Sequence, residues 1–156
     1  MRKLVFILLL CLFSIGTFAQ PTKGTTTLSG DYQFAITKGV KATHVGFFGI
    51  EHFVHDRVSI GAGIGYNGSY FQYGIQLNYF QPINTNKCYL SLLTFSGVGV
   101  DGKQIRPFFS ITPAFNYDFA KHWTIYASIV SFNAEFNPWS FGVNVNLPRI
   151  GFLFSF

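Results

Sequence analysis

Phe53-Val54-His55-Asp56-Arg57-Val58-Ser59-Ile60-Gly61-Ala62-Gly63-Ile64-Gly65-Tyr66 reads as two strands and the turn between them. Val58, Ile60, Ala62, Ile64 and Tyr66 alternate with Ser59, Gly61, Gly63 and Gly65. A period of two gives one bulky apolar face and one face of small residues, the mark of a strand. His55-Asp56-Arg57 interrupts the alternation and reads as a turn.

The same period runs through the rest of the chain. Tyr73, Ile75, Leu77 and Tyr79 alternate with Gln72, Gly74, Gln76 and Asn78, and Asn67-Gly68 before them is a strong hairpin signal. Phe109, Ile111, Phe115, Tyr117 and Phe119 alternate with Ser110, Thr112, Ala114, Asn116 and Asp118. Eight strands result, over 26–37, 43–54, 57–66, 70–80, 87–98, 105–118, 123–133 and 139–156. Eight antiparallel strands joined by short turns imply an all-β, up-and-down closed barrel, which leaves no unpaired edge.

Composition decides which way the barrel is turned. The 156 residues are 49% hydrophobic and 19% aromatic, but only 11% are charged. A soluble exterior carries about 25–35% charged residues. The polar faces here hold mainly Gly, Ser, Thr, Asn and Gln, so they belong inside and the bulky apolar faces outside, against lipid. Tyr66, Tyr79, Trp123 and Trp139 fall near strand ends, where a transmembrane barrel places its aromatic girdle. Ten residues at about 3.3 Å each, tilted by about 40°, rise roughly 25 Å, the height of the apolar band of such barrels.

Residues 1–19 read as a secretory signal peptide. Arg2 and Lys3 precede an apolar run from Leu4 to Ile15, and Thr17 and Ala19 place small residues before Gln20. Cleavage there leaves residues 20–156 as the barrel domain. Leu10 before Cys11 does not fit a lipoprotein cleavage site. Losing Arg2 and Lys3 lowers the formal net charge from +5 to +3, with no Lys/Arg cluster for a nucleic-acid surface. Cys88 is then the one remaining cysteine, so it has no intramolecular disulfide partner and reads as a small apolar filler.

The hairpin Phe48–Ala62 has an echo sixty-five residues later in Pro113–Ala127, with the same phase and turn length. Duplication and the general likeness of membrane hairpins both account for it. Either way, Phe48, Ile50, His52 and Val54 face outward and Glu51 inward.

The signal end at residues 17–20, the quoted hairpin and the closing Ile150-Gly151-Phe152-Leu153-Phe154-Ser155-Phe156 together resemble the small outer-membrane β-barrels of Gram-negative bacteria, the OmpA-barrel and OmpX kind. The resemblance implies an outer-membrane location. It also implies that Phe152, Phe154 and Phe156 match the signal read by the barrel-assembly machinery. It is silent on activity.

One segment departs from the pattern. Trp139–Phe156 is too long for a single crossing, and its apolar phase switches at Pro148-Arg149, from Phe141, Val143, Val145 and Leu147 to Ile150, Phe152, Phe154 and Phe156. A β-bulge produces such a slip, whereas a turn at Pro148 would make nine strands. Tyr89–Phe95 is apolar on both faces and leaves its orientation open.

Chemical motifs are scarce. Gly97-Val98-Gly99-Val100-Asp101-Gly102 has the letters of a dinucleotide fingerprint, but a strand follows where that motif needs a helix. Gly61, Gly63 and Gly65 make room inside a narrow barrel. His52 and His55 point to opposite faces of a strand, which disfavours a shared metal. No catalytic residue, metal or cofactor is expected.

The inward phase collects Asp31, Glu51, Arg106, Asn116 and Asp118. Charges buried in a lumen this narrow must pair, so Arg106 is expected to pair with Glu51 or Asp31 and plug the barrel. The function expected is structural or interactive at the cell envelope, with outer-membrane lipid and the assembly machinery as partners and no nucleic acid. The alternatives are a lipid-modifying outer-membrane enzyme and a soluble secreted ligand-binding barrel.

Overall fold

The computed structural model describes residues 22–35, 43–66, 68–83, 87–102, 104–136 and 139–156, with backbone alone at 34, 35, 43, 139, 140 and 142–148. The signal-peptide segment lies outside the described residues. Eight strands follow in chain order: β1 Thr26–Ala35, β2 Thr43–His55, β3 Val58–Tyr66, β4 Phe71–Pro82, β5 Cys88–Asp101, β6 Gln104–Ala120, β7 Trp123–Phe136 and β8 Trp139–Ser155. Each pairs antiparallel with the next, and β1 pairs with β8 to close the barrel. At the seam, Phe156 N donates to Thr26 O at 2.9 Å and Thr26 N to Phe156 O at 3.2 Å. The turns at Asp56-Arg57 and Lys121-His122 share this terminal end; Gly68 and Gly102, both at positive φ, mark turns at the opposite, loop end.

Side chains alternate between the two faces as expected. Among the described residues, thirty large hydrophobic side chains are more than a third exposed, twenty-eight of them on the strands and every strand contributing. Their distribution round the whole circumference makes the exterior apolar, whereas soluble monomers rarely expose apolar patches beyond a few hundred Å². The ambiguous β5 resolves cleanly: Leu90, Leu92, Val98 and Val100 are exposed outside, while Tyr89 and Ser91 are buried inside.

β8 is one bulged strand. Ser128 pairs with Arg149 and Val130 with Val145, so residues 146–148 oppose Ile129 alone. Pro148 has no N–H for the ladder, and the bulge accommodates it. The phase slip turns Arg149 inward while Ile150 and Phe152 stay outside. The repeated hairpins also share a detail: the register shifts by one residue between Phe53 and His55 and again between Asp118 and Ala120. Each shift sits just before a two-residue turn, tighter than the three residues expected. β4 starts at Phe71 rather than 70, and Tyr70 just before it is 5% exposed.

Glycines set where the large inward rings go. A Cβ on Gly63 would meet the Phe47 ring, one on Gly99 the Tyr70 ring and one on Gly151 the Tyr126 ring, and Phe95 lies over Gly65 and Gly74. Each ring thus fills the space that a neighbouring strand's missing side chain leaves. Gly63→Leu should therefore destabilise the barrel by about 1–3 kcal/mol through overpacking, and adding Phe47→Ala should restore part of the loss. Urea unfolding of both variants in liposomes checks this; equal midpoints for the single and double variants would contradict it.

Candidate functional site: the barrel lumen

Of the five residues assigned to the lumen by phase, Glu51, Asn116 and Asp118 are buried, Asp31 lines the cavity and Arg106 is half-buried near the loop end, and they form separate groups. Nearest the terminal end, Thr124 Oγ1 donates to Asp118 Oδ1 at 2.5 Å, and the Tyr89 hydroxyl lies 3.2 Å from the same oxygen. Beside them, Asn116 Nδ2 donates to Ser91 Oγ at 2.8 Å. Phe53, Phe80, Tyr89, Ala114, Tyr126 and Leu153 are buried here as one cluster, with Phe53 and Phe80 ring centroids 5.1 Å apart. This half of the lumen is packed shut.

Glu51 is next, 1% exposed. Its Oε2 accepts from the Ser59 hydroxyl and, at 2.8 Å, from Asn78 Nδ2. Asn78 is itself held by Thr94 N, which donates to its Oδ1 at 2.9 Å. The other carboxylate oxygen, Oε1, is buried, and Thr27 is the residue opposite Glu51 on β1.

The ion pairing differs from expectation. Arg106 meets neither Glu51 nor Asp31: its Nη2 lies 3.1 Å from Asp101 Oδ2 and its Nη1 4.0 Å from Glu135 Oε2. Tyr70 completes this loop-end group, donating to Glu135 Oε1 at 2.5 Å beneath the Arg106 guanidinium. Asp31 is paired by Arg149, whose Nε lies 2.8 Å from Oδ1, and the Tyr126 hydroxyl donates to Oδ2 at 2.6 Å.

Strand tilt explains the exchange. The hydrogen-bonded row from Asp31 passes through Phe47, Gly65, Gln72 and Gly99 to Arg106. Strands about 4.8 Å apart and tilted about 40° shift each step by about 3 Å along the axis, so five steps lift Arg106 about 15 Å towards the loop end. In the other direction the row reaches Asn116 through Gly151 and Tyr126. Alternation assigns a face but not a height.

Arg149, Tyr126, Tyr70 and Glu135 complete the lumen. Arg149 had a signal in the phase switch, since it alternates with the outward Ile150 and Phe152. Glu135 lies beyond the expected end of its strand and has no readable phase, whereas Tyr70, the first residue of the expected strand 70–80, shares the inward phase of Gln72 and Gln76.

Outside, Tyr66, Tyr79 and Trp123 are exposed, and Tyr79 donates to Gln81 Oε1 at 2.8 Å. The side chain of Trp139 lies outside the described residues. Trp123 packs 4.8 Å from the Phe154 ring and 6.0 Å from that of Phe152, while Phe156 is 62% exposed at the terminal rim. His52 and His44 also sit on the exterior, the first 3.0 Å from Thr26 Oγ1 and the second against the Tyr32 hydroxyl. No group of three or more His, Cys, Asp or Glu suited to a metal occurs among the described residues.

Above the packed half lies a cavity of about 330 Å³. Glu51, Asn78 and Leu153 line its inner part, and Gln33, Asn133 and Glu135, all half-buried, its loop-end part.

In fold, the chain is similar to the N-terminal β-barrel domain of Pseudomonas aeruginosa OprF. The two share 12% identity at a TM-score of 0.60, over 87% of this chain and all of that domain. A designed transmembrane β-barrel aligns over 89% of this chain at 14% identity and a TM-score of 0.49. No protein-family model matches the sequence, and no curated protein matches it. The small eight-stranded barrel read from the sequence is the fold the chain has.

Arg149→Met should cost about 3–5 kcal/mol, because it leaves the Asp31 carboxylate buried without its cation. Arg106→Met, at a partly solvated pair, should cost less than about 1 kcal/mol. Urea unfolding of the two variants checks the assignment; a larger loss for Arg106→Met would reverse it.

Proposed function

We propose that the protein is an exported outer-membrane barrel with a structural or interaction role at the cell envelope and no catalytic activity. The observation that carries this reading is the exposed apolar band on all eight strands, closed without an edge. Such a surface suits lipid, where every backbone polar group must be satisfied internally. The Phe53–Phe80–Tyr89–Leu153 cluster across the terminal half of the lumen favours a barrel that anchors and presents its loops over one that conducts.

In this reading residues 1–19 direct export and are removed. Tyr66, Tyr79, Trp123 and Trp139 sit at the membrane interfaces, and Phe152, Phe154 and Phe156 engage the barrel-assembly machinery. Lipid and that machinery are the partners, and nucleic acid is not. The exterior histidines lie apart from the lumen carboxylates, so they form no acid–base pair at one rim with them.

Ile75 lies near the middle of β4 and is 66% exposed. In a lipid-facing barrel Ile75→Arg should destabilise by about 2–4 kcal/mol, whereas on a water-facing surface the change should stay within about 0.5 kcal/mol. Unfolding in liposomes separates the two cases. In planar bilayers the wild type should show no steady large-channel current; such a current would overturn the plugged-lumen reading.

A further inference from the structure

We infer that the lumen cavity is a binding site for a small aromatic amine, held with its ammonium group at Glu51 and its ring against Phe47, Phe95 and Phe108. The cavity, about 330 Å³, lies within the range of ligand sites and equals the volume of about eleven waters, enough for a ligand of about ten non-hydrogen atoms.

Charge sets the sign of the ligand. Among the described residues three carboxylates line the cavity, those of Asp31, Glu51 and Glu135, against one cation, Arg149, which is committed to Asp31. Glu51 is the group without an ionic partner among the described residues. Two donors hold its Oε2 and the Thr27 hydroxyl lies on the facing strand, so hydroxyls and an amide meet it but no cation does. A buried carboxylate is stable only when paired or neutralised, and an ammonium group in the cavity supplies the missing charge.

The wall supplies the rest. Phe47 and Phe95 meet edge to face with centroids 5.0 Å apart, as do Phe95 and Phe108. All three line the cavity, offering both ring faces and edges to an aromatic guest and favourable faces to a cation. The packed cluster at Tyr89 and Leu153 closes the terminal side of the site. The site stands independently of the membrane reading, since the cavity, its charge and its rings are features of the barrel interior.

The test uses the mature chain in detergent micelles, titrated with protonated phenethylamine and followed by amide NMR. Saturable shifts are expected at Phe47, Glu51 and Phe95. 2-Phenylethanol, its neutral counterpart, should bind at least about tenfold more weakly, and Glu51→Gln should lose at least about tenfold in phenethylamine affinity, a difference of about 1.4 kcal/mol. Phe95→Leu keeps the charge, should also weaken binding, and serves if Glu51→Gln does not fold. Equal affinity for the two compounds, shifts confined to outward-facing residues, or no saturation up to about 10 mM phenethylamine would each overturn the proposal.

Discussion

An eight-stranded barrel has room for little more than one layer of large side chains across its bore, and nearly everything inside this molecule follows from that limit. A ring can enter only where an adjacent strand gives up its own side chain. Phe47 lies over Gly63, Tyr70 over Gly99 and Tyr126 over Gly151. The rings in turn divide the bore. Towards the termini they interlock with Leu153 and exclude solvent; farther up they stand against the wall and leave a chamber.

Polar groups in such a space have few alternatives to one another. Asp118, Asn116 and Glu51 are met by hydroxyl and amide side chains from neighbouring strands, while Asp31 and Glu135 are met by arginines. The bulge at residues 146–148 is what brings Arg149 to Asp31. A proline that cannot join the ladder slips the strand, and the slip turns a cation from the apolar exterior to the lumen. A local backbone irregularity thereby determines an ion pair.

The fold was legible because period-two alternation is a strong signal and because so few charges were available to coat an exterior. All eight strands, the closure and the bulged last strand follow from it. The inward set was legible for the same reason: phase assigned Glu51, Asn116 and Asp118 to the inner face, and all three are buried. Axial height was not. Arg106 and Asp31 share a hydrogen-bonded row yet sit at different levels, because tilt converts lateral steps into axial ones, and a linear sequence carries no record of shear. Glu135 escaped for a simpler reason: past the expected end of its strand there is no alternation to reveal which way it points.

The seam between β1 and β8 has a kinetic consequence. β2 to β7 find both partners in adjacent hairpins, a local search, but β1 has one neighbour at hand and the other, β8, at the far end of the chain. Until β8 arrives, the outer edge of β1 offers a row of unmatched amides and carbonyls to any passing strand, including one from another molecule. Closure by so distant a contact carries the largest loop-entropy cost in the topology and is the step expected to be slow. The exposed state most in need of guarding is thus an almost finished barrel, seven ladders formed and the eighth open.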